Sequence, residues 1–290
     1  MLVIPEPIYM SRPWAGERLR TVFGRSVPPG TGESWELSVH DHGVSRDAEG
    51  RALRERWPDL RLLFKLLDAG DNLSVQVHPA AGPEAKTEMW IVLDSAPGAA
   101  LWAGLKHGVT KEELRRRIAD RTLPDALVRY EAKPGDVFLL PGGTVHTLGA
   151  GLLIAEIQQP GDCTWRLYDW GRPRELHVEQ GLADTDLSPH PVTARIPPGE
   201  GCTALPGCAC FTAAHVCGTA FRGDTDGQHT ALFLLTAGTV TTPDGEKTVP
   251  AGTTVFLPGD TGAFAVCGEA GGGSLRALLF RQPETGFAGV

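Results

Sequence analysis

Leu73, Val75 and Val77 alternate with Ser74, Gln76 and His78, a period of two that makes Leu73 to His78 a strand with an apolar and a polar face. Glu33 to His40, Glu88 to Leu93 and Asp136 to Leu140 are predicted strands as well, the last held between a Pro-Gly and a Pro-Gly-Gly turn. Leu152 to Gln158 is an apolar run of the length of a buried strand. Two stretches follow the helical period instead. Asp59 to Leu67 spaces its apolar residues as a helix does, although its end can equally begin a strand. Thr110 to Asp120 opens on a capping box, Thr110 with Glu113, and carries Leu114 and Ile118 as an i, i+4 stripe. Residues from about Thr110 to Tyr130 therefore read as a helical insertion between strands.

A weak internal repeat organises these elements. KPGDVFLLPG (Lys133 to Gly142) and PAGTTVFLPG (Pro250 to Gly259) are both turn, strand, turn, and Ala231 to Val240 leads into the second copy as strand and turn. Two copies of a small β unit predict a mainly β chain of two barrels in tandem. Gly181 to Gly201, rich in proline and without a period, is the expected linker; residues 1–180 and 202–290 flank it. The first copy is followed by Val145 and His146, whereas the second runs on as DTGAF without a histidine. Any site belongs to the first copy.

The composition narrows the function. The chain has 290 residues, with 27 Lys plus Arg against 35 Asp plus Glu. Its only basic cluster, Arg115 to Arg117, lies on the expected helix, so no nucleic-acid partner is expected. No apolar run approaches the ~20 residues of a membrane helix. The start lacks a charged segment followed by an apolar one, so a cytoplasmic protein is expected. The six cysteines then read as reduced thiols, and Cys202, Cys208, Cys210 and Cys217 lack the paired spacing of a structural zinc knuckle.

The chemistry gathers in the first half. Gln76 and His78 share one strand face, Glu88 opens the next strand, and His146 lies just past another. Two imidazoles, a carboxylate and an amide oxygen form a donor set for a divalent metal, zinc or equally iron or manganese. The plainer reading makes these satisfied strand-end residues. His40-Asp41-His42 is a second H-x-H, read as an exposed strand end because no third donor is near in sequence. Arg166, Arg172 and Lys86 can converge on a phosphate or form surface ion pairs.

WELS (Trp35 to Ser38), LSVQVHP (Leu73 to Pro79), KTEMW (Lys86 to Trp90), PGGTVHTLGAGLLIAEIQQ (Pro141 to Gln159) and TWRLYDWGR (Thr164 to Arg172) stand in this order. Together they resemble type I mannose-6-phosphate isomerase in its short bacterial form. The resemblance runs from about Pro13 to Arg172 and is only architectural beyond. It implies tandem cupin (jelly-roll) barrels with a small helical part, the second barrel lacking the metal. It implies one zinc ion per chain on Gln76, His78, Glu88 and His146. It implies Arg166 and Glu156 as catalytic residues, with Ser74, Lys86 and Arg172 toward a small sugar phosphate. The implied reaction interconverts mannose 6-phosphate and fructose 6-phosphate through an enediol or enediolate, in a monomer or homodimer. Met89 stands where many members have Cys, and Ala15 replaces a Gly of the usual W-G-G. A metal-dependent cupin oxygenase is the rival within enzymes. A non-catalytic sugar-phosphate-binding cupin is the rival outside them, and it need not keep Glu156 and Arg166.

Overall fold

The computed structural model describes residues 2–188, 190–269 and 273–283. The chain is mainly β and divides into two compact units. One is built on Tyr9–Ser34 and Leu66–Thr193, the other on Met1–Ile8, Trp35–Lys65 and the chain from Ala194 on.

Most of the strands of two sheets that share a buried interior belong to the first unit. The larger runs in the order Ile8–Ser11, Thr31–Leu37, Leu63–Ala69, Leu152–Gln158, Glu88–Ser95, Asp136–Leu140, Val192–Arg195. The smaller runs Trp165–Tyr168, Val75–Val77, His146–Leu148, Ala100–Leu105, Leu127–Glu131. Trp90, Val92, Leu152 and Ile154 from the larger sheet share one buried cluster with Leu101 and Leu148 from the smaller. The two-residue period carries those same inner faces on to Glu88, Glu156, Gln158 and His146. One end of the interior is thus apolar and the other polar. Val75 and Val77 point the other way, into an outer cluster with Leu114, Ile118 and Leu182, which leaves Ser74, Gln76 and His78 for the inside.

The expected helix at Thr110 is present as Lys111–Ala119, with the Glu113 amide donating to Thr110 Oγ1 at 3.2 Å. A short 3-10 turn, Leu123–Ala126, follows it, and the rest of the insertion is strand. Asp59 to Leu67 is not helical. Leu63–Ala69 is a strand buried along its whole length, between Thr31–Leu37 and Leu152–Gln158. A central strand is covered on both faces, so its sequence loses the alternation that would separate it from a buried helix.

The second unit also has two sheets. One runs Gly201–Ala204, Thr212–Gly218, Leu275–Arg281, Thr230–Leu234, Thr253–Leu257; the other runs Ala220–Asp224, Ala263–Gly268, Gly238–Thr242, Gly245–Val249. Val216, Leu232, Val240, Val255 and Val266 fill the space between them. The outer face of the first sheet is covered by the early segment. Phe64 meets Phe233 edge-on at 5.3 Å and Phe280 at a tilt at 4.9 Å, and Trp57 meets Phe256 edge-on at 5.1 Å. Burial of these large rings is why Trp35–Lys65 groups with the C-terminal chain, a division that a single boundary near 181–201 does not describe. The expected linker itself contains part of a helix, Val178–Asp184, and the strand Val192–Arg195.

Within this second unit His40 lies on a two-residue strand, and its Nδ1 accepts the His42 amide at 3.1 Å. All six cysteines are free; Cys208 and Cys210 share a turn in which the Cys210 amide lies 3.4 Å from Cys208 Sγ.

Candidate metal centre

Backbone geometry brings the ligands together. His146 is the cross-strand partner of Gln76, and Gln76 is in turn the partner of Arg166. Glu88 pairs with Leu140 on one side and Gln158 on the other. The Pro141-Gly142-Gly143 turn is pressed against the chain after His78, with the Gly143 amide donating to the His78 carbonyl at 2.7 Å. A Cβ on Gly142 would lie 2.5 Å from the Pro79 carbonyl oxygen and 2.6 Å from Ala80 Cα. Only glycine permits this approach, and it carries the chain from Leu140 to His146 directly over His78.

His78, Glu88 and His146 are all buried and offer donor atoms within 4.8 Å of one another. Glu88 Oε1 lies 3.2 Å from His146 Nε2, and Glu88 Oε2 lies 3.5 Å from His78 Nε2. Each ring is oriented from behind. His78 Nδ1–H donates to the Cys163 carbonyl and His146 Nδ1–H to the Thr144 carbonyl, both at 2.8 Å. A carbonyl can only accept, so the proton sits on Nδ1 and each Nε2 carries a lone pair toward the centre. Burial, and then the Lys86 charge, holds His78 well below its ordinary pKa; burial lowers His146 as well. Both rings are therefore neutral. Burial alone would raise Glu88, but the Lys86 ammonium together with the two imidazoles prevails and keeps the carboxyl at about 2.

The result is two nitrogen lone pairs facing one buried carboxylate, neither of whose oxygens has a well-aligned hydrogen-bond donor among the described residues. Such donors repel one another unless a cation lies among them. Lys86 supplies one positive charge at the edge, 2.9 Å from Glu88 Oε2 and 3.3 Å from His78 Nε2. The borderline-soft donor set of two imidazoles and a carboxylate fits a divalent transition metal.

Gln76 reaches the centre through His146, its Nε2 lying 3.3 Å from His146 Nε2, and Ser74 Oγ donates to Gln76 Oε1 at 3.3 Å. Rotation of the amide by half a turn exchanges nitrogen for oxygen, the donor the sequence reading expects there. Glu156 is buried on the same inner face and accepts from Trp90 Nε1 at 2.8 Å. Arg166 is beside Gln76 by register, but its Nη1 donates to the Glu175 carbonyl at 2.8 Å. Arg172 is tied to Asp169 at 3.0 Å, which also holds Arg174 at 2.7 Å. Arg172 and Arg174 thus share the Asp169 carboxylate, Arg172 also lies 3.4 Å from Asp71 Oδ2, and Arg166 is close enough to feel the charges of all three and of Glu175. Sequence reasoning did not select Trp90, although its spacing from Glu88 puts it on the same face. It had no means of finding the Thr144 and Cys163 carbonyls, because backbone groups leave no signal in residue identity.

No family model matches the chain. A mannose-6-phosphate isomerase from Streptococcus mutans is 38% identical over 212 residues, which are 61% of this chain and 67% of the relative. One from Bacillus subtilis is 36% identical over 208 residues, 61% of this chain and 65% of the relative. The match thus spans about two thirds of the length of these curated relatives. The crystal structure of the Bacillus subtilis mannose 6-phosphate isomerase superposes with a TM-score of 0.82 at 25% identity, covering 97% of this chain and 99% of that one. The Salmonella typhimurium enzyme, solved with fructose 6-phosphate and zinc, shares the fold at a TM-score of 0.77 and 14% identity, over 97% of this chain and 100% of that one. Identity of this order to relatives bearing one name, across a segment that contains the buried His78, Glu88 and His146 centre, places the chain in the mannose-6-phosphate isomerase family.

Proposed function

We propose that this chain is a zinc-dependent aldose–ketose isomerase that interconverts mannose 6-phosphate and fructose 6-phosphate. The observation that carries the reading is the convergence of His78 Nε2, His146 Nε2 and the Glu88 carboxylate on one buried point at the polar end of the first unit. His78, Glu88 and His146 would hold the metal, with Gln76 turned to present its oxygen. A bound zinc ion would supply Lewis acidity toward the O1 and O2 oxygens of the sugar.

The remaining chemistry falls to the side chains. A proton must leave C2 as its electron pair forms the C1=C2 bond and O1 takes up a proton. In the return half, the O2 proton leaves, the carbonyl forms at C2 and C1 is protonated. Glu156, fixed on the inner face beside the centre, is the group that moves the proton between C2 and C1. Arg166, adjacent to Gln76 across the strand pair, stabilises negative charge as it develops on oxygen. Ser74 and Lys86 line the interior toward the sugar. Arg172, with Arg166 and Arg174 nearby, offers the planar guanidinium donors suited to a phosphate dianion. Burial removes competing water from the intermediate and strengthens each of these interactions. We further read the two double-sheet units as a tandem of cupin barrels, of which only the first is catalytic.

The test is a coupled assay for fructose 6-phosphate formed from mannose 6-phosphate, before chelation, after chelation and after zinc is returned. Loss on chelation with recovery on zinc is the expected result. Activity indifferent to chelation overturns the metal's role, and inactivity of the metal-loaded protein overturns the substrate.

A further inference from the structure

Gln158 ends its strand directly across from Glu88, its partner in register. Opposite residues of an antiparallel pair project to the same side, so the Gln158 carboxamide shares the interior face with the Glu88 carboxylate. Gln158 is buried, at 1% exposure. Its Nε2 donates to two backbone carbonyls, those of Gln159 at 2.9 Å and Gly161 at 3.3 Å. Both carbonyls belong to a turn that is held in place. The Gln159 amide donates to the Thr87 carbonyl at 3.1 Å, and a Cβ on Gly161 would lie 2.7 Å from the Ala85 carbonyl oxygen. A carbonyl only accepts, so the carboxamide cannot turn over without setting Oε1 against two oxygens. Its orientation is therefore fixed, and the atom left over is Oε1. That oxygen is buried and has no hydrogen-bond partner among the described residues. An orphaned acceptor is costly to bury and rare in a protein interior unless a donor comes to fill it.

We propose that Gln158 Oε1 accepts a hydrogen bond from the O3 hydroxyl of the sugar phosphate, the first hydroxyl beyond the reacting carbons, and is a specificity-determining residue of the site. This rests on the reading of the chain as an isomerase of mannose 6-phosphate. C1 and C2 belong at the point where His78, Glu88 and His146 converge, so the residue standing beside Glu88 is placed for the carbon that follows them. A hydroxyl taken out of water needs an acceptor for its proton. Lys86 and Arg166 only donate, so they cannot serve. A neutral carboxamide oxygen accepts without setting a negative charge beside a phosphate dianion or a developing enediolate, as a carboxylate in its place would. A carboxamide neither takes up nor releases a proton at neutral pH, so Gln158 orients the sugar and moves no proton itself.

The experiment is a cycle of protein against substrate on the metal-loaded full chain. The parent and Gln158→Met are each given mannose 6-phosphate and its 3-deoxy and 4-deoxy analogues. In the parent, removal of O3 is expected to lower kcat/KM about tenfold, the scale of one hydrogen bond to an acceptor otherwise left unpaired. Gln158→Met keeps the length of the side chain and loses the acceptor. It should lose about tenfold on mannose 6-phosphate, keep its bound metal, and no longer distinguish that sugar from the 3-deoxy analogue. Removal of O4 should cost both proteins the same factor. A merely structural role slows all three substrates alike and leaves the discrimination against the 3-deoxy analogue intact, which would overturn the proposal. Coupling to O4 in place of O3, or loss of bound metal from Gln158→Met with the discrimination retained, overturns it too. Should Gln158→Met fail to fold, the parent decides alone, since turnover of the 3-deoxy analogue as efficient as that of mannose 6-phosphate overturns the proposal. In that case the isomerase reading stands. A parent that converts none of the three sugars overturns that reading, and the role of Gln158 with it.

Discussion

Lys86 Nζ lies 2.9 Å from Glu88 Oε2 inside the first unit, where both side chains are buried, the carboxylate at 1% and the ammonium at 8% exposure. Burial alone would discharge both groups; each instead keeps the other charged. Removing one partner leaves the other buried without its counter-charge. Lys86→Met is expected to destabilise the chelated protein by about 3 kcal/mol. Chemical denaturation of the two chelated proteins at neutral pH measures it. A difference below about 1 kcal/mol, typical of surface pairs, would mean that the pair is open to water.

His78→Ala removes one of the converging nitrogens. Bound metal, by elemental analysis, and isomerase activity should fall together, while the circular dichroism of the β sheets stays as in the parent. A variant that keeps full activity without bound metal would sink the metal reading.

Arg166 stands next to Gln76 across the strand pair, yet its guanidinium also belongs to the group around Asp169. If it stabilises developing charge, Arg166→Ala lowers kcat by about a hundredfold and raises KM far less. A large rise in KM with kcat intact would instead assign Arg166 to phosphate binding.

The 2.5 Å between a Cβ on Gly142 and the Pro79 carbonyl makes Gly142→Ala an overpacking substitution. A stability loss of about 1–3 kcal/mol is expected, with weaker metal binding, because the strain falls on the turn that sets His146 over His78. Metal titration and thermal melting together check this. Unchanged metal affinity would show that the turn yields without moving either ligand.

Asp169 is held below its ordinary carboxyl pKa; burial opposes this, but Arg174 and then Arg172 prevail. A depressed folded pKa gives stability that is complete above the unfolded value near 3.8 and fades as pH falls through the folded value. Asp169→Asn should therefore cost about 2 kcal/mol near neutral pH. The gap from the parent should narrow below pH ~4. Denaturation curves from pH ~3 to ~7 report it, and a gap constant across that range would remove the carboxylate's charge from the account.

The alternation of Ser74, Gln76 and His78 with apolar neighbours was enough to put three polar side chains on one face, since a strand's period is a local property of the backbone; that this face is the inner one was decided by the packing of Val75 and Val77 in the other cluster. The capping box at Thr110 was legible for the same reason. Leu63–Ala69 was not, because a strand covered on both faces carries no alternation, and only its neighbours in the sheet decide its conformation. Nor was the partition of the chain, since Phe64 and Trp57 are as apolar in one place as another until the faces they cover exist. The same division runs through the site. Sequence determined which donors are available and that Gln76 and His78 share one face of a strand. Tertiary structure alone decided that His146 crosses to His78 over Gly142, that the Thr144 and Cys163 carbonyls fix both tautomers, and that Trp90 joins His146 to Glu156. Those relations depend on strand register and on backbone atoms brought from far along the chain, neither of which is encoded in any single stretch of residues.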